Sequence, residues 1–316
     1  MQSEISVIIC TKNRPDDLEI TLRSLVCQSI SPDRLVIIDD GDAEESRQIR
    51  AITDSLWEGR IIHIRPEPRS SGLPSARNLG IRSVQDQAGI VLFLDDDVVL
   101  EETYLETVRG IFLKYPDVWG VTGYIRNGYQ NHSLPARVLL LVAGGIVPAL
   151  VPVSLSGPRV TRTAEALYPL FRRYGTDVVP AQWLSGCNMA YRSDVFTAGF
   201  RFDENLVSYA QGEDMLFSHR LYQDKRKLLL SYNAGLTHRI SGKGRIPQFR
   251  NLVMMFGYRN YEISRFIRNH SLSSLWYTVF LIQYLLSSII ISLRNTRGLV
   301  TVKEVIRAYR DRKSVV

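Results

Sequence analysis

Three aspartates in a row, Asp95-Asp96-Asp97, follow the apolar run Val91-Leu92-Phe93-Leu94. Carboxylates this close repel one another unless they share a cation or a proton. An extended backbone turns alternate side chains to the same side, so Asp95 and Asp97 are expected together, able to share one ion. Hard oxygen ligands with few nitrogens or sulfurs nearby suit Mg²⁺ or Mn²⁺, and Mg²⁺ is typically held by one or two carboxylates together with phosphate oxygens. Two further polar clusters end apolar runs in the same way: Thr11-Lys12-Asn13-Arg14 and Asp39-Asp40-Gly41-Asp42. A second acid pair, Glu213-Asp214, follows Gly212 and opens the apolar stretch Met215–Tyr222. Acids in a first helical turn commonly just complement the helix dipole, so spacing alone leaves this pair between that role and proton transfer. His238 is either a packed residue or a ligand. Cys187 has no nearby His to activate it and reads as a small packed side chain rather than a nucleophile.

The elements that must carry these clusters are legible as a βαβ series. Ile5–Cys10, Leu35–Asp39, Arg60–Arg65, Ile90–Leu94 and Trp119–Tyr124 are strand-like, and Asp16–Gln28, Ala43–Trp57, Pro74–Val84 and Glu102–Tyr115 between them show apolar residues at helical spacing. Such a series builds an α/β fold on a mostly parallel, Rossmann-like central sheet with flanking helices. Ligands of these sheets sit beyond the carboxyl ends of the strands, where all three polar clusters fall. The 316 residues suffice for one large domain, or one domain with an appendage. With 45% hydrophobic and 22% charged residues, the composition excludes a disordered chain, a collagen-like repeat or a disulfide scaffold. The three cysteines, Cys10, Cys27 and Cys187, fit neither a zinc pattern nor a disulfide framework.

Taken in order, Ser-Val-Ile-Ile-Cys-Thr-Lys-Asn-Arg, Val-Ile-Ile-Asp-Asp-Gly, Ala-Arg-Asn-Leu-Gly, Leu-Phe-Leu-Asp-Asp-Asp, Gly-Cys-Asn-Met-Ala-Tyr-Arg and Gly-Glu-Asp-Met-Leu-Phe resemble the family 2 glycosyltransferases. The resemblance covers roughly residues 5–240 and implies the GT-A fold, a nucleotide-sugar donor, a divalent cation (Mg²⁺ or Mn²⁺) and inversion of the transferred sugar. It implies that Thr11 and Asn13 edge the nucleotide base, that Asp39 contacts the base, and that Arg77 lies near the diphosphate. Asp95 and Asp97 match the ends of the family's Asp-X-Asp motif, Asp95 near ribose or metal-bound water and Asp97 on the metal, with Asp96 between them on the donor side. Trp183, Gly186 and Asn188 would face the donor sugar and acceptor. Asp214 would be the base that deprotonates the acceptor hydroxyl, with Glu213 in support, and His238 would join the metal shell. Members that extend a polymer processively usually carry a Gln-X-X-Arg-Trp element; the nearest sequence here is Gln248-Phe-Arg-Asn, so one sugar per encounter is expected.

Residues 1–240 are accordingly expected to be the catalytic domain, with a nucleotide-binding half over 1–125 and an acceptor half over 126–240, followed by a basic helical region over 241–316. Residues 1–224 carry 22 Lys/Arg against 29 Asp/Glu, whereas residues 225–316 carry 17 against 3. A tail of that charge asks for a polyanionic partner. Within it, residues 271–293 are 23 positions without charge, a stretch that can lie on an anionic membrane surface, span a bilayer, or form a core or homo-oligomer interface. This stretch favours membrane over nucleic acid. A second uncharged run between Arg137 and Arg159 carries three prolines and is a poor spanning helix, but it suits an apolar, lipid-linked acceptor as well as a glycan one. Arg239, Lys243 and Arg245 read as a lid over phosphates or as the start of the basic tail. The apolar run at the N-terminus is too short for a signal-peptide core, so a cytoplasmic protein peripheral to the membrane is expected. Two competing functions remain. A Rossmann dehydrogenase lacks its glycine-rich turn, replaced here by Thr11–Arg14. A non-catalytic membrane-surface protein on a GT-A scaffold sits poorly with intact Asp97 and Asp214.

Overall fold

A computed structural model of the chain describes residues 4–84, 89–128, 157–169, 175–208, 210–242, 248–267, 269–294 and 302–311. In chain order the elements are β1 (Ile5–Thr11), α1 (Pro15–Val26), β2 (Arg34–Asp39), α2 (Ala43–Leu56), β3 (Ile61–Ile64), α3 (Leu73–Val84), β4 (Ile90–Asp95), β5 (Val98–Leu100), α4 (Tyr104–Lys114) and β6 (Val118–Ile125). They continue as β7 (Arg159–Val160), β8 (Ala166–Leu167), β9 (Val178–Ala181), β10 (Asn188–Arg192), α5 (Asp194–Thr197), α6 (Glu213–Gln223), β11 (Lys227–His238), α7 (Gln248–Phe266), α8 (His270–Arg294) and α9 (Val302–Asp311). The elements expected within the first 125 residues are all present, with ends shifted by one or two residues.

β1 shows why the core forms. Its alternate residues Ile5, Val7 and Ile9 join one buried cluster with Leu18, Leu22 and Leu25 of α1, while Ile8 joins another with Ala76 and Ile81 of α3. A strand buried on both faces needs an unbroken apolar run, which is what the sequence provides. α1 itself opens on Pro15, with Asp16 and Asp17 in its first turn and Arg23 in its last, as the helix dipole favours.

The nine-stranded sheet runs β3-β2-β1-β4-β10-β6-β11-β5, with β9 also pairing to β11. β3, β2, β1 and β4 are parallel. β10 then enters antiparallel between β4 and β6, so Asn188 pairs with Leu94 at the strand end that leads into the aspartates. β11 is longer than the expected Leu228–Tyr232. After an irregularity between Ser231 and Gly235 it resumes and pairs antiparallel with β5, placing His238 opposite Val98. That register brings the histidine beside Asp97.

The basic C-terminal region is helical. The Tyr277 hydroxyl of α8 donates to the Phe256 carbonyl of α7 at 3.0 Å, and the Arg307 guanidinium of α9 lies 5.0 Å from the Phe249 ring centre. Leu272, Leu275 and Ile282 of α8 are exposed. No helix among the described residues is long and apolar enough to cross a membrane. The uncharged run after Arg137 lies, as far as residue 156, outside the described residues, as do Lys243 and Arg245.

Candidate functional site

The aspartate cluster sits where β4 ends, and its geometry departs from the simple alternation expected. The backbone turns at Asp96-Asp97 before β5 begins. Asp95 and Asp97 still converge, joined by His238, with one ligand atom from each residue lying within 4.8 Å of the others. His238 Nε2 is 3.0 Å from Asp97 Oδ1 and 4.0 Å from Asp95 Oδ2. Asp97 Oδ2 accepts from the Ser241 amide at 2.7 Å. Burial raises the Asp97 carboxyl, but the bonds from His238 and Ser241 outweigh it and hold the group below its ordinary value. Burial would also strip the proton from His238; the Asp97 carboxylate prevails and lifts it to about 11. Two carboxylates and an imidazole that meet on one small volume fit a divalent cation of the Mn²⁺ or Mg²⁺ kind.

Asp96 is turned away from that volume. Its carboxylate accepts from Thr11 Oγ1 at 2.7 Å and from Arg14 Nη1 at 3.0 Å, tying the end of β1 to the end of β4. Burial pushes it up to about 7 despite Arg14. Thr11 and Asp96, both expected on the donor side, are thus brought together and engage each other.

The second centre is built by α6 and the turn before β10. Asp214 Oδ2 accepts from the Gly186 amide at 2.7 Å, and its Oδ1 accepts from the Met215 amide at 2.8 Å. Burial raises the Asp214 carboxyl, with Arg77 opposing. Glu213 is buried, pairs through Oε1 with Arg77 Nη1, and its Oε2 finds no hydrogen-bond partner among the described residues. Burial pushes it up to about 8, again against Arg77. Arg77, 2% exposed, also donates through Nη2 to the Gly186 carbonyl at 3.0 Å and to Asp95 Oδ1 at 3.3 Å, and it lies near the rings of Phe93 and Phe202. It thus bridges the two acid centres. Gly186 is required by closeness. A Cβ there would stand 3.0 Å from Asp214 Oδ2 and 3.3 Å from Arg77 Nη2.

The remaining expected residues divide. Asn13, at a left-handed φ of 57°, bridges to the next loop: its Oδ1 accepts from the Asp42 amide at 2.7 Å, and its Nδ2 donates to Asp42 Oδ2 at 3.0 Å. Asp39 ends β2 but is fully enclosed. It accepts from the Gly41 amide at 2.9 Å and from Ser46 Oγ, with His63 Nε2 at 3.4 Å, so an expected base contact meets a carboxylate already engaged on both oxygens. Burial raises Asp39, yet those three partners hold it below its ordinary value. Asn188 lies deep. It is wholly buried, and its Oδ1 accepts from Tyr104 OH at 3.2 Å, Thr122 Oγ1 at 2.9 Å and the Gly123 amide at 2.5 Å. Trp183 is likewise buried, donating to the Leu167 carbonyl at 3.1 Å and stacking edge-on to Tyr168. Both side chains brace the sheet through these bonds.

Comparison with known proteins gives the family and the fold. The family described as "Glycosyl transferase family 2" matches residues 6–200. The chain belongs to that family. Among curated family relatives, the validoxylamine A glucosyltransferase of Streptomyces hygroscopicus subsp. limoneus is 34% identical over 239 residues, covering 69% of this chain and 48% of the relative. The chondroitin synthase of Escherichia coli is 26% identical over 231 residues, covering 70% of this chain and 32% of the relative. The chain spans less than half the length of these curated relatives. Among solved structures, S. aureus TarS 1–349 in complex with UDP-GlcNAc aligns with a TM-score of 0.59 at 15% identity, over 99% of this chain and 81% of that one. The mannosyltransferase PcManGT of Pyrobaculum calidifontis, in complex with GDP-Man and Mn²⁺, aligns with a TM-score of 0.58 at 11% identity, over 100% and 85%. The fold is GT-A.

Several residues that shape this family 2 site escaped sequence reasoning. Asn127 clamps His238 at both backbone groups, accepting from its amide at 3.0 Å and donating to its carbonyl at 2.7 Å. Ser241 links Asp97 to Asp17, its Oγ donating to Asp17 Oδ2 at 2.6 Å. His63 meets Asp39 because β3 pairs with β2 in register, Ile37 opposite His63. None of these partners is near the other in sequence, so no spacing signal could have revealed them; strand register and the packing of the turns beyond the strands create them.

Proposed function

We propose that this chain transfers a sugar from a nucleoside-diphosphate sugar to a glycan or lipid-linked acceptor, with inversion at the sugar carbon. The observation that carries the reading is the pair of opposed centres: Asp95, Asp97 and His238 on one side, Asp214 on the other, with Arg77 between them. The first centre would hold Mg²⁺ or Mn²⁺, which when bound offsets the negative charge gathering on the departing diphosphate. The residues of the chain do the rest. Asp214, held by the amides of Gly186 and Met215 and raised by burial, accepts the proton of the attacking hydroxyl. Glu213 and Arg77 fix its neighbourhood, and Arg77 keeps Asp95 and Glu213 from repelling one another.

The relatives and neighbours support the donor class, being a glucosyltransferase and proteins solved with UDP-GlcNAc or GDP-Man and Mn²⁺. A role in surface polysaccharide or glycoconjugate synthesis at the cytoplasmic face is part of the same proposal. Its support is the basic tail together with the exposed Leu272, Leu275 and Ile282 on α8. The deciding experiment is a hydrolysis screen of UDP- and GDP-sugars with Mg²⁺, Mn²⁺ or chelator, run on the wild type and Asp97→Ala. Metal-dependent release of the nucleoside diphosphate that vanishes in Asp97→Ala supports the proposal; equal release in both proteins rejects the assignment of Asp97.

A further inference from the structure

The turn that carries Glu213 and Asp214 is gripped from the C-terminal side. Along one face of α7, Met254, Tyr258, Tyr261, Glu262 and Arg265 recur at helical spacing, and each meets the segment 203–216. Met254 and Tyr258 enclose Leu206, Ala210 and Leu216. The Tyr258 hydroxyl donates to the Val207 carbonyl at 2.9 Å and accepts from the Val207 amide at 3.1 Å, closing both backbone groups of one residue. The Tyr261 hydroxyl donates to Asp203 Oδ2 at 2.6 Å. Glu262, 2% exposed and paired with Arg259 at 3.3 Å, lies directly against Gly212. A Cβ on Gly212 would collide with Glu262 Oε1 and stand 3.2 Å from its Cδ, and Gly212 adopts a φ of +87°.

The chemistry of that last contact is unexpected for packing alone. A buried ion pair is dear to desolvate and is often matched or bettered in stability by apolar side chains of similar volume. A carboxylate set behind the residue that precedes two further acids adds like-charge repulsion. Stability therefore does not explain why this position holds Glu. What the contact does accomplish is geometric: the Glu262 carboxylate fills the space a Cβ at 212 would need, beside a left-handed φ that already favours glycine where α6 starts.

We infer that Tyr258 and Glu262 are positioning residues, through which α7 holds the 203–212 segment and aims Asp214 at the cleft. The inference rests on Asp214 being the base. It also makes the basic C-terminal region a working part of the transferase, whatever surface that region binds.

The test uses the full chain. Hydrogen exchange over 203–216 should become roughly tenfold faster in Tyr258→Phe and Glu262→Gln, with β1 and β4 protected as in the wild type, since local opening follows the bonds that close a segment. In the donor-hydrolysis assay with Mn²⁺ and UDP- and GDP-sugars, both variants should lose at least tenfold in kcat with the donor KM within twofold. In Arg259→Met/Glu262→Leu, thermal stability should be kept or raised while kcat still falls, an outcome that a merely structural role does not produce. Asp214→Asn separates the two readings. If it turns over like the wild type, the base assignment fails. If it is inactive while Tyr258→Phe and Glu262→Gln keep wild-type kcat, the positioning role is overturned, as it is if exchange over 203–216 is unchanged.

Discussion

Replacing Arg77 by Met tests whether one guanidinium keeps two acid centres apart. Methionine preserves an apolar stem between Phe93 and Phe202, so the change removes chiefly charge and hydrogen bonds. What is left behind is Glu213, 5% exposed and without its counter-charge, and a Gly186 carbonyl without its donor. Breaking a buried pair by deleting one partner costs about 3–5 kcal/mol. At about 2–4 °C per kcal/mol for domains somewhat smaller than this one, the melting temperature should fall on the order of 10 °C. The pH dependence gives the sharper signature. Burial already raises the Glu213 carboxyl to about 8 in the folded chain, and removing Arg77 raises it further. A folded group that binds its proton more tightly than the unfolded one makes stability fall as pH rises between the two values. The penalty of Arg77→Met should therefore be smallest below pH 7, where Glu213 holds its proton with or without Arg77, and grow as pH rises past about 8. Adding Glu213→Gln should recover most of the loss and flatten its pH dependence. Melting curves of the four proteins from pH 5 to 9 provide the assay. A loss at pH 9 no larger than at pH 6, or an equal loss with and without Glu213→Gln, would refute the bridge, because an ionised Glu213 left buried and unpaired cannot be that cheap.

Asp214→Asn should keep donor binding and lose about 10²–10⁴ in transfer rate, the range for removal of a general base; turnover within a few-fold of wild type moves the base elsewhere, first to Glu213. Gly186→Ala introduces a Cβ 3.0 Å from Asp214 Oδ2, so activity should drop more than tenfold while overpacking costs about 1–3 kcal/mol; an active variant of wild-type stability contradicts the close approach. The intact protein should float with phosphatidylglycerol liposomes at low ionic strength and in part at high, since the cations contribute about 1 kcal/mol each near an anionic surface and the apolar face of α8 is insensitive to salt. Protein left at the bottom of both gradients removes the membrane from the proposal.

How far the sequence could be read followed the range of the forces involved. Local signals were enough for the first 125 residues: β-branched runs buried on both faces, helices with Leu18, Leu22 and Leu25 on one side, and polar clusters where strands stop. They also placed Asp95 and Asp97 together, though for an incomplete reason, since the chain turns at Asp96-Asp97 instead of staying extended. Asn188 shows where local reading fails. An asparagine at a strand start looks like a ligand-binding group, yet β10 inserts antiparallel between β4 and β6 and carries the side chain inward to satisfy Thr122 and Gly123. The partner of Arg77 is hidden for the same cause: nothing within α3 tells that Glu213, 136 positions away, will stand against it. Buried polar groups take their partners from register and packing, and neither has a period that a sequence displays.

The two acid centres, though close, are held in opposite electrostatic states, and that contrast is what the proposed reaction needs. Asp97 is kept anionic by His238 and the Ser241 amide, ready for a cation. Glu213 and Asp214, with the low dielectric of α6 around them, are pushed toward holding a proton. A carboxylate raised in this way is a stronger base than one in water, whereas one lowered in this way is a better permanent charge. Without a barrier the two fields would mix, each acid raising the others. Arg77 supplies the barrier from a position that water does not reach, where its charge is least screened. The Ala-Arg-Asn-Leu-Gly stretch thereby acquires a purpose that its distance from either acid centre in sequence conceals. It sets a cation between Asp95 and Glu213 and opposes the rise that burial imposes on Glu213 and Asp214.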